Sequence, residues 1–238
     1  MTEAEWSVCE DPRRMFDYMI DRTGIRKLML WGCACCERIP EVETTPCLIE
    51  VLRLAESVAE GRTHREALVV PAQALQDARE KQPNSPVQLL YSGVSCVTCR
   101  VEFRKLLYKV GLNKLAFAVA WQAVPEVEVD MEEGIWGLPD NERFQKVCRE
   151  EHHAQATLAR DIFGNPFDMA GVKPCWQSTA ATSIARGIYH DRAFERMPVL
   201  ADALQDAGCE NEAILNHCRG SGPHVRGCWV VDQLLGKQ

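Results

Sequence analysis

Apolar residues and helix-capping residues alternate along the chain in a pattern that predicts one α-helix after another. The first helix is predicted to begin at Thr-Glu-Ala-Glu, residues 2–5, which has the form of a capping box. The second begins at Asp11–Pro12, an N-cap residue followed by proline at the first helical position. Further helices are predicted over about 24–38, from Pro46 to Gly61, and over about 140–163.

The C-terminal third continues this helical pattern. Two helices are predicted in the segments TAATSIARGIYH and MPVLADALQDAG, and a last pair in ENEAILNHCRG and HVRGCWVVDQLLG. Glycine and proline between the last two predict a tight turn. The chain has no strand–helix–strand alternation and no short-period repeat. The predicted fold class is therefore mostly α, a compact multi-helix array that resembles a bundle.

The middle of the chain is less regular. The stretch NSPVQLLYSGVSCVTC fits either a helix or a strand that leads into a helix, and VPEVEVDMEEGIWGLPDN fits an acidic loop. These features predict an N-terminal helical region, 1–82, a variable middle segment, 83–139, and a C-terminal helical region, 140–238. We expect the three regions to form one compact unit.

Charge and hydropathy narrow the classes of partner. The 238 residues include 27 basic and 34 acidic side chains, a net charge of −7, which disfavours a general nucleic-acid binder. No apolar run approaches the roughly 18 residues that a membrane-spanning helix needs. The first residues, MTEAEWSVCEDPRRM, are too polar and acidic for a signal peptide. We therefore expect a cytoplasmic protein that does not enter the membrane and whose partner is another protein.

Twelve cysteines form the most unusual feature of the composition. This content lies below the roughly 8–10% of a disulfide scaffold. In a reducing compartment it indicates metal ligation, redox chemistry or buried packing. Cys33, Cys35 and Cys36 lie in one predicted helix, where Cys35 and Cys36 fall on the apolar face and Cys33 on its flank. Burial as small apolar side chains is the simplest interpretation of this group.

Several segments resemble a large, uncharacterised family of helical proteins that is abundant in planctomycete bacteria. At the N-terminus these are MTEAEW, RKLMLWGCACCERI and AESVAEG. At the C-terminus they are AQATLARDIFGNPF and the long string from IYHDRAFERMPVLADALQDAG through HCRGSGPHVRGCWVVDQLLGK. The resemblance covers roughly 1–80 and 155–237 and is most specific at the C-terminus. It implies a helical cytosolic protein and no particular activity.

One candidate zinc site combines two spaced pairs of ligand-type residues. Cys96 and Cys99 form a Cys-x-x-Cys pair, and Cys148 and His152 lie four residues apart on one face of a predicted helix. Together they offer the four thiolate and imidazole ligands that zinc accepts tetrahedrally. Packing cysteines and a surface histidine are the alternative interpretation, because about 50 residues separate the pairs.

A second interpretation of the same cysteines is enzymatic. His64-Arg-Glu66 precedes Cys96-Val-Thr-Cys99, which is similar to the signature of zinc-dependent deaminases. There His64, Cys96 and Cys99 would hold zinc and Glu66 would shuttle protons as the catalytic residue. Ser95 stands where that signature has proline, and Thr63–Glu66 also fits a second capping box. This zinc-dependent hydrolase is the alternative to a non-catalytic binding or adaptor protein with a structural zinc.

The last predicted turn offers a further zinc set. His217, Cys218, His224 and Cys228 have the right ligand types, although adjacent side chains on a helix point in different directions, so only one of His217 and Cys218 fits comfortably. An anion site formed by His224, Arg226 and the N-terminus of the last helix is a second interpretation. A turn that merely packs two helices is the third.

Overall fold

The computed structural model of the protein describes residues 1–40, 42, 45–81, 104–124, 140–168 and 171–237. Within this part of the chain the structure is mostly helical, with no strand, as the sequence predicts. The helices are α1 Glu3–Val8, α2 Pro12–Met19, α3 Ile25–Glu37, α4 Pro46–Ala59, α5 Val69–Glu80, α6 Arg104–Ala123, α7 Glu142–Phe163, α8 Thr179–Asp191, α9 Met197–Asp206, α10 Glu212–Arg219 and α11 Trp229–Leu234. Short 3₁₀ turns occur at Arg65–Leu68, Pro174–Trp176 and Phe194–Arg196.

Local sequence signals fix many of these helix ends. The Glu5 amide donates to the Thr2 hydroxyl and the Thr2 amide donates to the Glu5 carboxylate, so the predicted capping box at 2–5 is confirmed. The Asp11 carboxylate accepts from the Arg13 amide at the start of α2. Helix α7 ends before Gly164, whose φ of 68° suits a residue without a side chain.

Two predicted helix starts are wrong. The Thr63 hydroxyl hydrogen-bonds the Ser57 hydroxyl at 2.8 Å, and Arg65–Leu68 is a 3₁₀ turn whose N-cap residue makes no side-chain capping bond. The second predicted capping box is therefore absent. The last helix begins at Trp229 and not near His224, because Gly227 adopts a φ of 100° that is incompatible with a continuous helix.

The chain folds into two compact units. The C-terminal unit comprises Met1–Val8 and Thr157–Gln238, and the central unit comprises Cys9–Ala156. The boundary between them falls inside α7, so the division differs from the three regions of the sequence. Of the variable middle segment, 83–139, the structure describes α6 and Val124, and the rest lies outside the described residues.

The central unit is organised around α3, which packs against α4 and α6. Every residue from Leu28 to Cys36 is buried. The expectation that Cys33 lies on a flank is wrong, since it is 1% exposed. The indole N–H of Trp31 donates to the Gln155 carbonyl at 3.0 Å. The three cysteines of α3 are therefore core residues, and burial raises the pKa of Cys35 well above its usual value.

The C-terminal unit has its own apolar core, in which α8, α9 and α10 pack in sequence and α11 returns onto α8. The largest side chains of this core are Trp176, Ile188, Tyr189, Met197, Leu200, Leu204, Ile214, Leu215, Val230, Val231 and Leu234. Cys209, Cys218 and Cys228 are buried in the same cluster. No described helix combines the length and hydropathy that crossing a bilayer requires.

Candidate metal centre

Four polar side chains of the C-terminal unit meet where the helices α7 and α10 end and α11 begins. Asp161 lies in the last turn of α7, His217 lies in the last turn of α10, and Cys228 is the N-cap residue of α11. His224 belongs to the turn that joins α10 to α11. One ligand atom from each of the four lies within 4.8 Å of all the others. We call this group the Asp161 cluster.

The individual distances show how closely the ligand atoms converge. Asp161 Oδ1 lies 2.7 Å from His224 Nδ1 and 3.2 Å from His217 Nε2. His217 Nε2 also lies 3.2 Å from Cys228 Sγ. Metal–ligand distances of about 2.0–2.3 Å place tetrahedral ligands about 3.3–3.8 Å apart. The two His217 contacts are already close to this separation, and the Asp161–His224 pair would open by about 0.7 Å around an ion.

The hydrogen bonds of this arrangement compete for one proton of His217. An ionised carboxylate only accepts hydrogen bonds, so His217 Nε2 and His224 Nδ1 must both be protonated to donate to Asp161. The Cys228 sulfur then faces the same His217 nitrogen, which has a single proton to share between sulfur and carboxylate. In a Cys-His-Asp catalytic triad the two partners would bind opposite nitrogens of the imidazole. The geometry therefore differs from a triad and fits donors that surround one cation.

Burial makes the cluster expensive to leave unsatisfied. The side chains of Asp161 and His224 are 4% and 8% exposed, and Cys228 is fully buried. Within the described part of the chain, His224 Nε2 makes no hydrogen bond. Such an unpaired buried polar atom costs about 1–3 kcal/mol. This atom is the ring nitrogen opposite the Nδ1 that faces Asp161, so a metal bound through Nδ1 would leave it unpaired. The cluster itself is polar and enclosed.

Asp161 and Cys228 respond differently to this environment. Burial by itself would raise the pKa of Asp161, but the hydrogen bonds and charges of His217 and His224 outweigh it and hold that pKa below its usual value. Burial, together with the Asp161 charge, raises the pKa of the Cys228 thiol well above normal. Without a metal the thiol is therefore protonated and inert as a nucleophile. A bound divalent ion would stabilise the thiolate.

Neighbouring groups hold the cluster in place. The Val225 amide donates to Asp161 Oδ2 at 2.9 Å, which leaves Oδ1 directed at the two histidines. The Trp229 ring lies against the His217 imidazole, with ring centroids 5.3 Å apart. Gly164 packs closely against this indole. A side chain at this position would not fit, since a Cβ would come within 3.0 Å of Trp229 Cγ. The cluster thus has a supporting layer of backbone and aromatic contacts.

The structure brings together three of the four residues in the last predicted zinc set. His217, His224 and Cys228 meet in the Asp161 cluster, whereas Cys218 is outside it and buried in the apolar core. Burial raises the pKa of Cys218 to about 12. The adjacent residues His217 and Cys218 thus point in different directions, as helix geometry predicts.

Sequence reasoning did not select Asp161, although a signal was present. Asp161 lies three residues after Leu158, a buried member of the apolar face of α7, and so falls on the same side of the helix. It also lies in the last turn of a helix, where the helix dipole disfavours a negative charge. An acidic residue that lies on an apolar helix face and in the last turn of the helix is disfavoured on both counts. Such a position indicates a specific partner for the carboxylate inside the protein.

The other predicted zinc set is described only in part, because Cys96 and Cys99 lie outside the described residues. Cys148 donates to the Ala116 carbonyl across 3.7 Å in the central unit, and burial raises its pKa to about 12. His152 lies close to the charges of Asp11 and Arg13, and burial lowers its pKa to about 4. In the described ranges, Cys148 and His152 join no group of three or more ligand-type residues.

The deaminase-like centre is likewise only half described. His64 and Glu66 are both exposed and flank or lie in the 3₁₀ turn Arg65–Leu68. Their predicted partners Cys96 and Cys99 fall on residues that are not described. Zinc ligation by His64 and proton transfer by Glu66 therefore stay predictions.

The predicted anion site places both of its side chains against other protein groups. His224 contacts the Asp161 carboxylate, and the Arg226 guanidinium donates to the Tyr189 carbonyl at 3.3 Å and lies over the Tyr189 ring. Because α11 begins at Trp229, neither residue belongs to its first turn. Anion binding by His224 and Arg226 remains a prediction.

Comparison of the chain with family models, with curated proteins and with solved structures finds no match. The resemblance to the planctomycete family therefore stays a prediction from the sequence. The geometry is the only guide to function, and it shows a buried Asp/His/His/Cys group that could hold a metal ion.

Proposed function

We propose that the protein is a cytosolic, non-catalytic binding protein whose C-terminal unit is cross-linked by a zinc ion at the Asp161 cluster. The observation that supports this most strongly is the convergence of four ligand atoms from separate structural elements, all within 4.8 Å of one another. A metal bound there would join the ends of α7 and α10 to the start of α11. Such a cross-link stabilises a small helical core in the same way as other structural zinc sites.

The ligand chemistry favours zinc over the common hard cations. Magnesium and calcium take mainly oxygen ligands, whereas the Asp161 cluster offers two imidazoles, a thiolate and a single carboxylate. Zinc accepts this mixture in a tetrahedral shell. One carboxylate and one thiolate also balance the charge of a divalent ion, so the loaded centre would be neutral and suited to a buried position.

A structural role fits the number and burial of the ligands better than a catalytic role. Catalytic zinc sites usually combine three protein ligands with a water or substrate in an open position. Here four protein ligands are available, and the most exposed of them, His217, has a side chain only 18% exposed. A zinc ion with all four ligands would have no vacant coordination position. Binding of another protein by the helical surface is then the activity that we propose.

Metal analysis of the full-length protein tests this proposal. The protein is purified without added metal, and its zinc content is measured by elemental analysis alongside the number of thiols that react under native conditions. We expect one zinc per chain, and we expect Cys228 to react only after unfolding, because its thiol is fully buried and protonated even without metal.

A matched pair of variants locates the ion. Cys228→Ser should lose the zinc, whereas Cys148→Ser, also a change to a buried thiol, should retain it. Metal-free wild-type protein that does not take up zinc during titration would refute the proposal. Equal zinc content in both variants and the wild type would place the metal elsewhere.

A further inference from the structure

The N-terminal helix α1 and the Asp161 cluster share one short stretch of backbone, Arg160–Asn165. On one side, the indole N–H of Trp6 donates to the Gly164 carbonyl at 3.0 Å, and this bond is buried. The side-chain amide of Asn165 donates to the Glu3 carboxylate at 2.6 Å, and the Arg160 guanidinium donates to the Trp6 carbonyl at 3.5 Å. These contacts attach α1 to the end of α7.

On the other side, the same stretch supports two of the metal ligands. Asp161 belongs to it, and its carboxylate is aimed at the histidines. Gly164 supports the Trp229 indole, which in turn lies against the His217 imidazole. A shift of the Gly164 backbone would therefore move Asp161 directly and His217 through Trp229. Since protein interiors are close-packed, such contacts transmit small displacements.

We propose that α1 is a positioning element of the metal centre and that Trp6 is its principal positioning residue. The proposal rests on the proposed function, since it assumes a metal at the Asp161 cluster. Docked α1 holds the end of α7 in the position that aims Asp161 at the site. Removing the Trp6 contact lets this turn relax, and the ligand atoms then spend less time in the binding arrangement.

Thermodynamic linkage makes the coupling reciprocal. If docking of α1 strengthens metal binding by a given factor, metal binding must strengthen docking of α1 by the same factor. Loss of metal should therefore loosen residues 3–8 even though none of them is a ligand. This reciprocal effect distinguishes coupling from a general loss of stability.

The test compares zinc affinities of full-length variants by competition with a chromophoric chelator. Trp6→Phe keeps an aromatic ring but removes the donor to Gly164, and we expect it to weaken zinc binding about 5-fold or more, the lower end of ordinary coupling between sites. Val8→Ala changes a side chain of the same helix that is 75% exposed and should leave the affinity unchanged. Glu3→Ala, which removes the exposed contact with Asn165, should weaken binding by a smaller factor and serves if Trp6→Phe does not fold.

A third variant separates positioning from stability. Leu200→Ala creates a cavity in the same apolar core. It should lower the melting temperature but leave the zinc affinity of the folded protein within 2-fold of wild type. The visible spectrum of the Co²⁺-loaded protein should keep its shape in Leu200→Ala and change in Trp6→Phe, because only the latter alters the ligand geometry.

Hydrogen exchange of residues 3–8 gives the reciprocal measurement. Zinc should slow exchange in this segment of the wild-type protein by about the factor that Trp6→Phe loses in affinity. An affinity of Trp6→Phe within 2-fold of wild type, or exchange in α1 that ignores zinc, would overturn the positioning role while leaving the metal site intact. Failure of the wild-type protein to bind zinc at all would instead refute the proposed function, and this inference with it.

Discussion

Helix α7 bears two buried carboxylates, Glu151 in the central unit and Asp161 in the C-terminal unit, and each side chain is 4% exposed. Glu151 is paired with the Arg38 guanidinium at 3.1 Å and with the Gln155 amide at 3.2 Å. Asp161 instead faces two imidazoles and, beyond them, a thiol. One carboxylate has a permanent cation as its partner, and the other is surrounded by side chains of the types that bind metal ions.

The pKa values of the two carboxylates follow from this difference. Burial raises the pKa of Glu151, and the opposing effects of Arg38 and Gln155 do not fully cancel it. The pKa of Asp161 is lowered, because its two histidines together outweigh the tendency of burial to raise it. A buried carboxylate is thus no sign of a metal site by itself. The decisive feature is whether the groups around it can also bind a cation.

Replacing each carboxylate by its amide should give the largest difference between Asp161 and Glu151. At free zinc about 1,000 times its dissociation constant, the bound ion stabilises the folded protein by about 4 kcal/mol. We expect chelation to lower the free energy of unfolding, measured by urea denaturation, by about this amount. Asp161→Asn should abolish the response to chelator, whereas Glu151→Gln should keep it. A zinc response that survives in Asp161→Asn would contradict the assignment of Asp161 as a ligand.

Breaking the ion pair between Glu151 and Arg38 should give the next largest effect on the free energy of unfolding. Arg38→Met leaves a buried carboxylate without its cation, and we expect a loss of about 3 kcal/mol, at the low end for a broken buried pair because Arg38 is 37% exposed. The double variant Arg38→Met/Glu151→Gln should recover most of this loss in urea denaturation. Neither change should alter the zinc content. If the double variant is as unstable as Arg38→Met, the cost comes from lost packing and not from the unpaired charge.

Most of the fold follows from local signals in the sequence, but the metal centre does not. Capping residues and apolar spacing predict α1, α2, α3 and α7 closely, because these signals act within a few residues. Asp161 and His217 are 56 positions apart and meet only through the packing of the C-terminal core. No local pattern encodes that proximity, so His217, His224 and Cys228 could be selected as ligand types, whereas the only local signal for Asp161 is an acidic side chain in the last turn of a helix.

The wrong helix start near His224 has the same origin. The segment HVRGCWVVDQLLG has helical spacing throughout, yet Gly227 adopts a positive φ and Cys228 becomes the N-cap. This interruption directs the Cys228 sulfur to His217. Local propensity predicts a longer helix because it takes no account of tertiary contacts, such as the bond from the Val225 amide to Asp161.

The smallest of the expected effects comes from His152, a half-buried histidine that has no ligand set around it in the described part of the chain. Burial, opposed by Asp11 and reinforced by Arg13, lowers its pKa from 6.5 to about 4. A histidine with a depressed pKa in the folded state takes up its proton more readily when unfolded. The stability that it contributes is therefore complete above pH 6.5 and is lost as the pH falls from there towards 4.

We expect the metal-free protein to lose about 2 kcal/mol between pH 7 and pH 5 through His152. His152→Leu should remove this part of the pH dependence in urea denaturation. His153→Leu should leave it in place, because the His153 side chain is 56% exposed and lies 3.2 Å from the Glu10 carboxylate near the protein surface. A pH dependence that is unchanged in His152→Leu would show that the loss arises elsewhere, and that burial of a lone imidazole, without converging partners, has little effect on this fold.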